Sequence, residues 1–201
     1  EPAVPARRLD WSHAECVERF SAALQAVRGE VYPVGADWPA VLARVLAEQG
    51  AKTLRYGPDG PFGAELAQGW PASGVALVPH REPLEDCRDV LFTETDAGFT
   101  SCLAAIAETG SLVLWPTPAE PRLLSLVPPV HCVLLDAVQI VPTLHGLMAD
   151  EQWHGGMPTN ALLITGPSKS ADIEQTLAYG VHGPGRLVVL LRQRGHASGS
   201  E

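Results

Sequence analysis

Four cysteines are all that this 201-residue chain carries, and none forms a Cys-x-x-Cys pair. Cys16, Cys87, Cys102 and Cys132 lie too far apart in sequence to suggest an iron–sulfur cluster or a structural zinc site. A chain of this size builds its own core, so a disulfide framework is unsupported and reduced thiols in a cytoplasm are expected. Basic residues are scarce as well: 14 Lys and Arg stand against 23 Asp and Glu, a net charge of −9. That balance argues against a sequence-independent nucleic-acid binder and against adhesion to an anionic membrane surface. Long apolar runs are missing. The longest, Leu123 to Leu135, is broken by Pro128-Pro129 and falls short of the roughly 18 residues that suggest a membrane-spanning helix. Aromatic residues make up 6 % and the five tryptophans are dispersed, which gives no stacking platform. There is no Walker loop and no Gly-x-Gly-x-x-Gly fingerprint. His13, His80, His145, His154 and His196 show no spacing that suggests a metal.

What is present is an ordinary globular balance, 46 % hydrophobic and 18 % charged. Ser12 with Glu15 makes a capping box ahead of Val17, Phe20, Leu24 and Val27, so a first helix is predicted, ending at Gly29. Val31 to Val34 reads as an edge strand, because Pro33 removes a ladder donor. Asp37 is expected to cap a second helix through Val41, Val45 and Leu46. Strands are predicted at Lys52–Tyr56, Gly74–Val78, His131–Leu135, Leu162–Ile164 and Leu187–Leu191. Helices are predicted at Phe62–Gln68, Thr143–Asp150 and Ser170–Tyr179. Alternating strands and helices predict an α/β architecture, a largely parallel sheet with helices on both sides. Residues 1–10 are expected to be loose, 11–191 to form one domain, and 192–201 to be a polar tail.

Two segments carry polar chemistry. In Ala105–Leu114, two apolar runs flank Glu108-Thr109-Gly110, the pattern of a hairpin holding a carboxylate and a hydroxyl at its tip. A solvated turn is the plain alternative. In Ala161–Gly183, a strand runs into Thr165-Gly166-Pro167-Ser168-Lys169, with Ser170, Asp172 and Glu174 placed to begin a helix. Small residues at such a point present backbone N–H groups, so a small anionic ligand is one reading and structural capping the other. Both loops are expected to face one cleft at the carboxyl ends of the strands. There Glu108 would act as acid, base or polar anchor, with Thr109, Gly110, Thr165, Gly166 and Ser168 binding ligand. Arg122 reads as an ion-pair residue or an anion clamp. His131 and His182 read as structural histidines or general bases, and Cys102 as a small buried hydrophobe.

Three blocks occur in a recognisable order: Ala105–Leu112 (AIAETGSL), Pro121–His131 (PRLLSLVPPVH), and Ile164–Glu174 (ITGPSKSADIE) running on to Gly180–Pro184. In these the chain resembles the lactate utilization protein C family, whose domain is called LUD. The likeness covers roughly residues 90–191. It departs at Cys102-Leu103, where the family pattern has Ala-Asp. The resemblance implies a fold like that of ribose-5-phosphate isomerase, glucosamine-phosphate deaminase and CoA transferases. It also implies a cytoplasmic role in oxidising L-lactate to pyruvate, as an accessory subunit that binds substrate or docks partner subunits. Those partners are expected to carry the iron–sulfur clusters, with no cofactor in this chain. Two alternatives stand beside it. One is a stand-alone enzyme on a small acyl or phosphorylated sugar substrate, with Glu108 as base or nucleophile, as in the Glu-x-Gly motif of CoA transferases. The other is a non-catalytic ligand sensor.

Overall fold

Ser12 and Glu15 close the expected capping box: the Ser12 hydroxyl accepts from the Glu15 N–H at 3.3 Å and the Glu15 carboxylate accepts from the Ser12 N–H at 2.8 Å. This is the first of the local signals realised in the computed structural model, which describes residues 9–72, 74–81, 91, 93–150, 156, 159–171, 177–180 and 182–193. The helix that follows, α1 (His13–Ala26), buries Cys16, Phe20 and Leu24. Val27, assigned to the same face by periodicity, is instead the exposed C-cap residue. The short strand β1 (Glu30–Val34) then enters the sheet at its edge, where Pro33 costs no ladder bond. Helix α2 (Trp38–Glu48) begins without a side-chain cap from Asp37, contrary to expectation. Pro39 in its first turn supplies a pre-set φ instead.

The main sheet has six strands, all parallel, in the order β1, β12 (Arg186–Arg192), β7 (Val130–Asp136), β4 (Ala97–Ser101), β2 (Thr53–Tyr56), β3 (Ala76–Pro79). Its central strands read VHCVLLD and RLVVLLR, and all seven residues of β7 are buried. Such unbroken apolar runs fit a parallel strand covered on both faces. One face, with Phe99, Cys132, Leu134, Val188 and Leu190, packs on Trp38, Leu42 and Leu46 of α2 and Leu66 of α3 (Gly63–Gly69). The other face, with Val133, Leu135, Val189 and Leu191, packs on Phe20 and Leu24 of α1.

A second sheet shares that layer with α1. It is mixed, in the order β8 (Ile140–Val141), β5 (Ala104–Ile106), β6 (Ser111–Leu114), β9 (Leu162–Ile164). Its inner side joins the α1 core through Ala105 and Leu112. Its outer side, with Ile106 and Val113, is packed by Leu144 and Leu147 of α5 (Leu144–Asp150). A short helix, α4 (Leu123–Leu126), lies against β4 so closely that a Cβ on Gly98 would stand 2.1 Å from the Leu124 carbonyl oxygen. The result is a three-layer α/β fold. It is the expected parallel sheet flanked by helices, and the small second sheet lies beside α1 in one of the flanking layers.

Where the segment predicted as a helix at Ser170–Tyr179 is described, it is strand. Lys169–Ala171 (β10) and Leu177–Tyr179 (β11) pair as an antiparallel ribbon. Its base is fixed by bonds that no local signal encodes: the Ser168 carbonyl accepts from the Gly180 N–H at 3.0 Å and the Ser168 N–H donates to the Pro184 carbonyl at 2.7 Å. Helix propensity is a weak prior, and strand pairing overrides it here. Asp172 and Glu174 lie outside the described residues, as do Cys87, His154, most of the N-terminal segment and the tail beyond Gln193.

Candidate functional site

All six parallel strands end on one side of the molecule, and ligands of such sheets gather at those carboxyl ends. A cavity of about 450 Å³ opens there. Phe62, Leu103 and Trp115 give it apolar walls, and Ser101, Thr117, Glu120 and Gln139 give it polar ones. Ser101 is the last residue of β4, and Phe62 follows the loop after β2. Gln139 ties the β4–β5 connection in place, donating to the Leu103 carbonyl at 3.1 Å and accepting from the Asp136 N–H at 3.1 Å.

Glu120 is the unusual group. It is only 6 % exposed, where a carboxylate rarely sits without a partner. Its Oε2 accepts from the Ser101 hydroxyl at 2.5 Å and the Ser101 N–H at 3.0 Å. Its Oε1 is buried with no hydrogen-bond partner among the described residues. Burial pushes the carboxyl above the ordinary carboxylate range, and the two Ser101 bonds only partly oppose that. A proton on this group belongs on Oε1, since both donors on Oε2 need its lone pairs. The backbone holds Glu120 in a tight turn: its N–H donates to the Thr117 hydroxyl and its carbonyl accepts from the Thr117 N–H, both at 3.1 Å. The loop after β2 closes over it. A Cβ on Gly57 would stand 2.1 Å from the Ala119 carbonyl oxygen, and one on Gly60 would stand 2.5 Å from Glu120 Oε1. Glycine at both positions is what lets the two loops touch.

Beside the cavity, sharing Pro61 and Phe62, lies a cleft of similar size that reaches Glu65 and Arg192. Arg192 belongs to β12 rather than to a loose tail. Its guanidinium clasps Asp136 at 2.5 and 2.9 Å and Glu65 at 3.0 and 3.1 Å. The Trp38 indole N–H also donates to Glu65, at 2.6 Å. With its charge met twice over, Arg192 is not placed to clamp a ligand anion.

The residues singled out by sequence fall mainly elsewhere. The hairpin of β5 and β6 is as expected, but Leu103 and Trp115 mark its cavity end and Glu108 its other end. Glu108 is exposed, and its N–H donates to the Pro142 carbonyl at 3.1 Å. The Thr109 and Ser111 hydroxyls lie 2.8 Å apart, and those of Ser111 and Thr165 lie 2.7 Å apart. The two loops therefore do meet. They meet around the end of α1, where Gly110 (φ 65) abuts Ala23 and Leu24 and Gly166 abuts Val27. That is where the chain enters β1, opposite the strands' carboxyl ends. Ser168 packs against Gly183, beside the exposed His182, with Leu126 of α4 close by. Arg122 alone of the group stands near Glu120, exposed at the start of α4 and lining a void of about 10 Å³ behind it.

His131 is 1 % exposed, with Nε2 at 2.9 Å from the Thr100 hydroxyl. Burial pushes its pKa down to about 3, so it is a neutral structural histidine. Cys102 is buried, its thiol donates to the Leu134 carbonyl at 3.6 Å, and burial pushes it well above the ordinary thiol range. It is chemically quiet. Leu103, its partner in the departure from the family pattern, faces the cavity. Among the described residues no group of three or more His, Cys, Asp or Glu could hold a metal ion. Nor is any helix among them long and apolar enough to cross a membrane. Sequence reasoning missed Glu120, Ser101, Phe62 and Gln139. The available signal was an acid wedged before Pro121, at the edge of the second block.

Comparison with known proteins agrees with this architecture. The chain is 37 % identical over 193 residues to an uncharacterized protein of Neisseria meningitidis serogroup B, covering 94 % of this chain and 83 % of that one. It is 32 % identical over 153 residues to lactate utilization protein C of an Exiguobacterium strain, covering 74 % of this chain and 61 % of that protein's length. With lactate utilization protein C of Bacillus subtilis it shares 26 % over 185 residues, covering 89 % and 72 %. A crystal structure of a DUF162 family protein from Deinococcus radiodurans has the same fold, with a TM-score of 0.64 at 24 % identity over 90 % of this chain and 99 % of that one. Residues 17–191 match the family model described as the LUD domain, and the chain belongs to the LUD domain family.

Proposed function

We propose that this protein serves lactate utilization as an accessory subunit, and that the cavity at the strands' carboxyl ends is its ligand site. The lactate role rests on relatives named lactate utilization protein C. The ligand site rests on one observation: a buried Glu120, tied down through one oxygen only, beside a cavity of about 450 Å³. That volume lies in the ordinary range of small-molecule sites. Electron transfer is the work of a cofactor, and the iron–sulfur subunits expected from the family resemblance supply it. In this reading Glu108, exposed at the opposite end of the hairpin, belongs to the surface that docks those subunits.

The test is lactate-dependent dye reduction in a lysate of a strain lacking this gene, with purified chain added back. Wild type is expected to restore the rate. Leu103→Phe, which pushes a ring into the cavity from its wall, is expected to restore clearly less of it than wild type, because ligand and side chain cannot share the same space. Glu108→Gln is expected to rescue at high concentration and to pull down less of the iron–sulfur subunits. Thermal melts confirm that each variant is folded. Failure of wild type to rescue overturns the lactate role. Full rescue by Leu103→Phe overturns the cavity as the site. Turnover of an acyl or phosphorylated sugar substrate by the purified chain alone would favour a stand-alone enzyme.

A further inference from the structure

We infer that the cavity takes an uncharged ligand with a flat aromatic body, larger than lactate, and turns organic anions away. This rests on the cavity being the ligand site and says what kind of molecule it admits. Three observations carry it. The first is size: a cavity of about 450 Å³ leaves a three-carbon acid mostly surrounded by empty space, with few of the contacts that hold a ligand. The second is the walls. Phe62 and Trp115 supply aromatic surface and Leu103 aliphatic surface, which suits a planar apolar body. The third is charge.

Among the described residues no Lys, Arg or His lines the cavity, and its one ionisable carboxyl is Glu120. Two guanidinium groups stand outside it: Arg192 lines the adjoining cleft and is spent on Asp136 and Glu65, and Arg122, behind Glu120, is exposed and lines the separate small void. A bound carboxylate or phosphate would therefore meet a carboxyl with no cation on the cavity's own walls, in a site where water screens poorly. A neutral ligand meets hydrogen-bonding groups instead. The Thr117 hydroxyl accepts from the Glu120 N–H and keeps its own proton to donate. Lactate itself is then handled by the partner subunits, and this chain holds a different molecule.

The experiment compares 2-naphthamide with 2-naphthoate, one ring system with and without a negative charge, by calorimetry on the full chain at neutral pH. The amide is expected to bind about tenfold or more tightly than the acid, the scale of one uncompensated charge in a partly buried site. Glu120→Gln is expected to narrow that ratio by strengthening naphthoate. Leu103→Phe and the rim variant Thr117→Phe, which each push a ring into the cavity, are each expected to weaken amide binding, so the result does not hang on one variant folding. L-lactate is expected not to displace the amide. Equal or tighter binding of naphthoate overturns the inference, as does displacement by lactate. Absence of amide binding, or binding that neither Phe variant disturbs, overturns it too. Rescue of dye reduction by wild type is scored separately, so the lactate role survives or falls on its own.

Discussion

Asp136→Ala is expected to lower the unfolding free energy by about 3–5 kcal/mol, the usual cost of removing one partner of a buried ion pair. Arg192 and Asp136 are only 12 % and 5 % exposed, and the contact is a two-pronged one at 2.5 and 2.9 Å. They face each other in register at the ends of β12 and β7, in the middle of the parallel sheet. Without Asp136 the guanidinium keeps Glu65, but that carboxylate is 43 % exposed and compensates it less, as solvent-facing pairs do. Unfolding in urea measures the loss directly. In a chain of this length each kcal/mol also lowers Tm by about 2–4 °C. The double variant Asp136→Leu with Arg192→Met is expected to recover most of the deficit, because it leaves no charge stranded. A single-variant loss below about 1 kcal/mol would place the pair among ordinary surface contacts and refute its central role.

Acidification from pH 7 to pH 5 is expected to cost the folded state about 2 kcal/mol through His131 alone. The sign follows from where the proton goes. In the unfolded chain an imidazole protonates near pH 6.5, whereas burial holds His131 neutral down to about 3. Between those values the unfolded chain takes up the proton first, so stability falls as pH falls. Glu120 works the other way: its carboxyl is held above the ordinary range, so the folded state gains as pH falls through that raised value. Urea midpoints at pH 7 and pH 5, for wild type and His131→Gln, separate the two. The variant is expected to show a difference between the two pH values that is smaller by about 2 kcal/mol. An unchanged difference would mean that His131 takes up its proton as readily in the folded protein as in the unfolded chain.

What the sequence made legible was local. The Ser12–Glu15 capping box, the proline in the edge strand, the hairpin around Glu108 and the apolar runs of β7 and β12 each carry their signal within a few residues. What it hid depends on distant chain segments. Glu120 is made unusual by Ser101 at the end of β4 and by Gly60 after β2, and nothing near Pro121 announces either. Arg192 reads as the start of a polar tail until Asp136 and Glu65 are brought to it. The Ser170–Tyr179 segment has helical composition, yet its ends are claimed by the bonds from Ser168 to Gly180 and Pro184. The Glu108 and Thr165 loops do adjoin, through Ser111, but not at the cleft by the strands' carboxyl ends where the sequence places them. Their position opposite the strands' carboxyl ends is set by the path of α1, which pattern reading does not trace.

The placing of β12 between β1 and β7 also sets a schedule for synthesis. β1 is complete at Val34, but its sole neighbour in the sheet does not begin until Arg186. While the chain is being made, β1 therefore has nothing to pair with, and β7 presents an unpaired apolar edge toward the gap. Contacts between such distant segments close slowly, because the loop entropy is spent before the pairing is gained. The sheet assembles as a whole only after β12 has left the ribosome, and the nascent chain is most exposed to aggregation just before that moment.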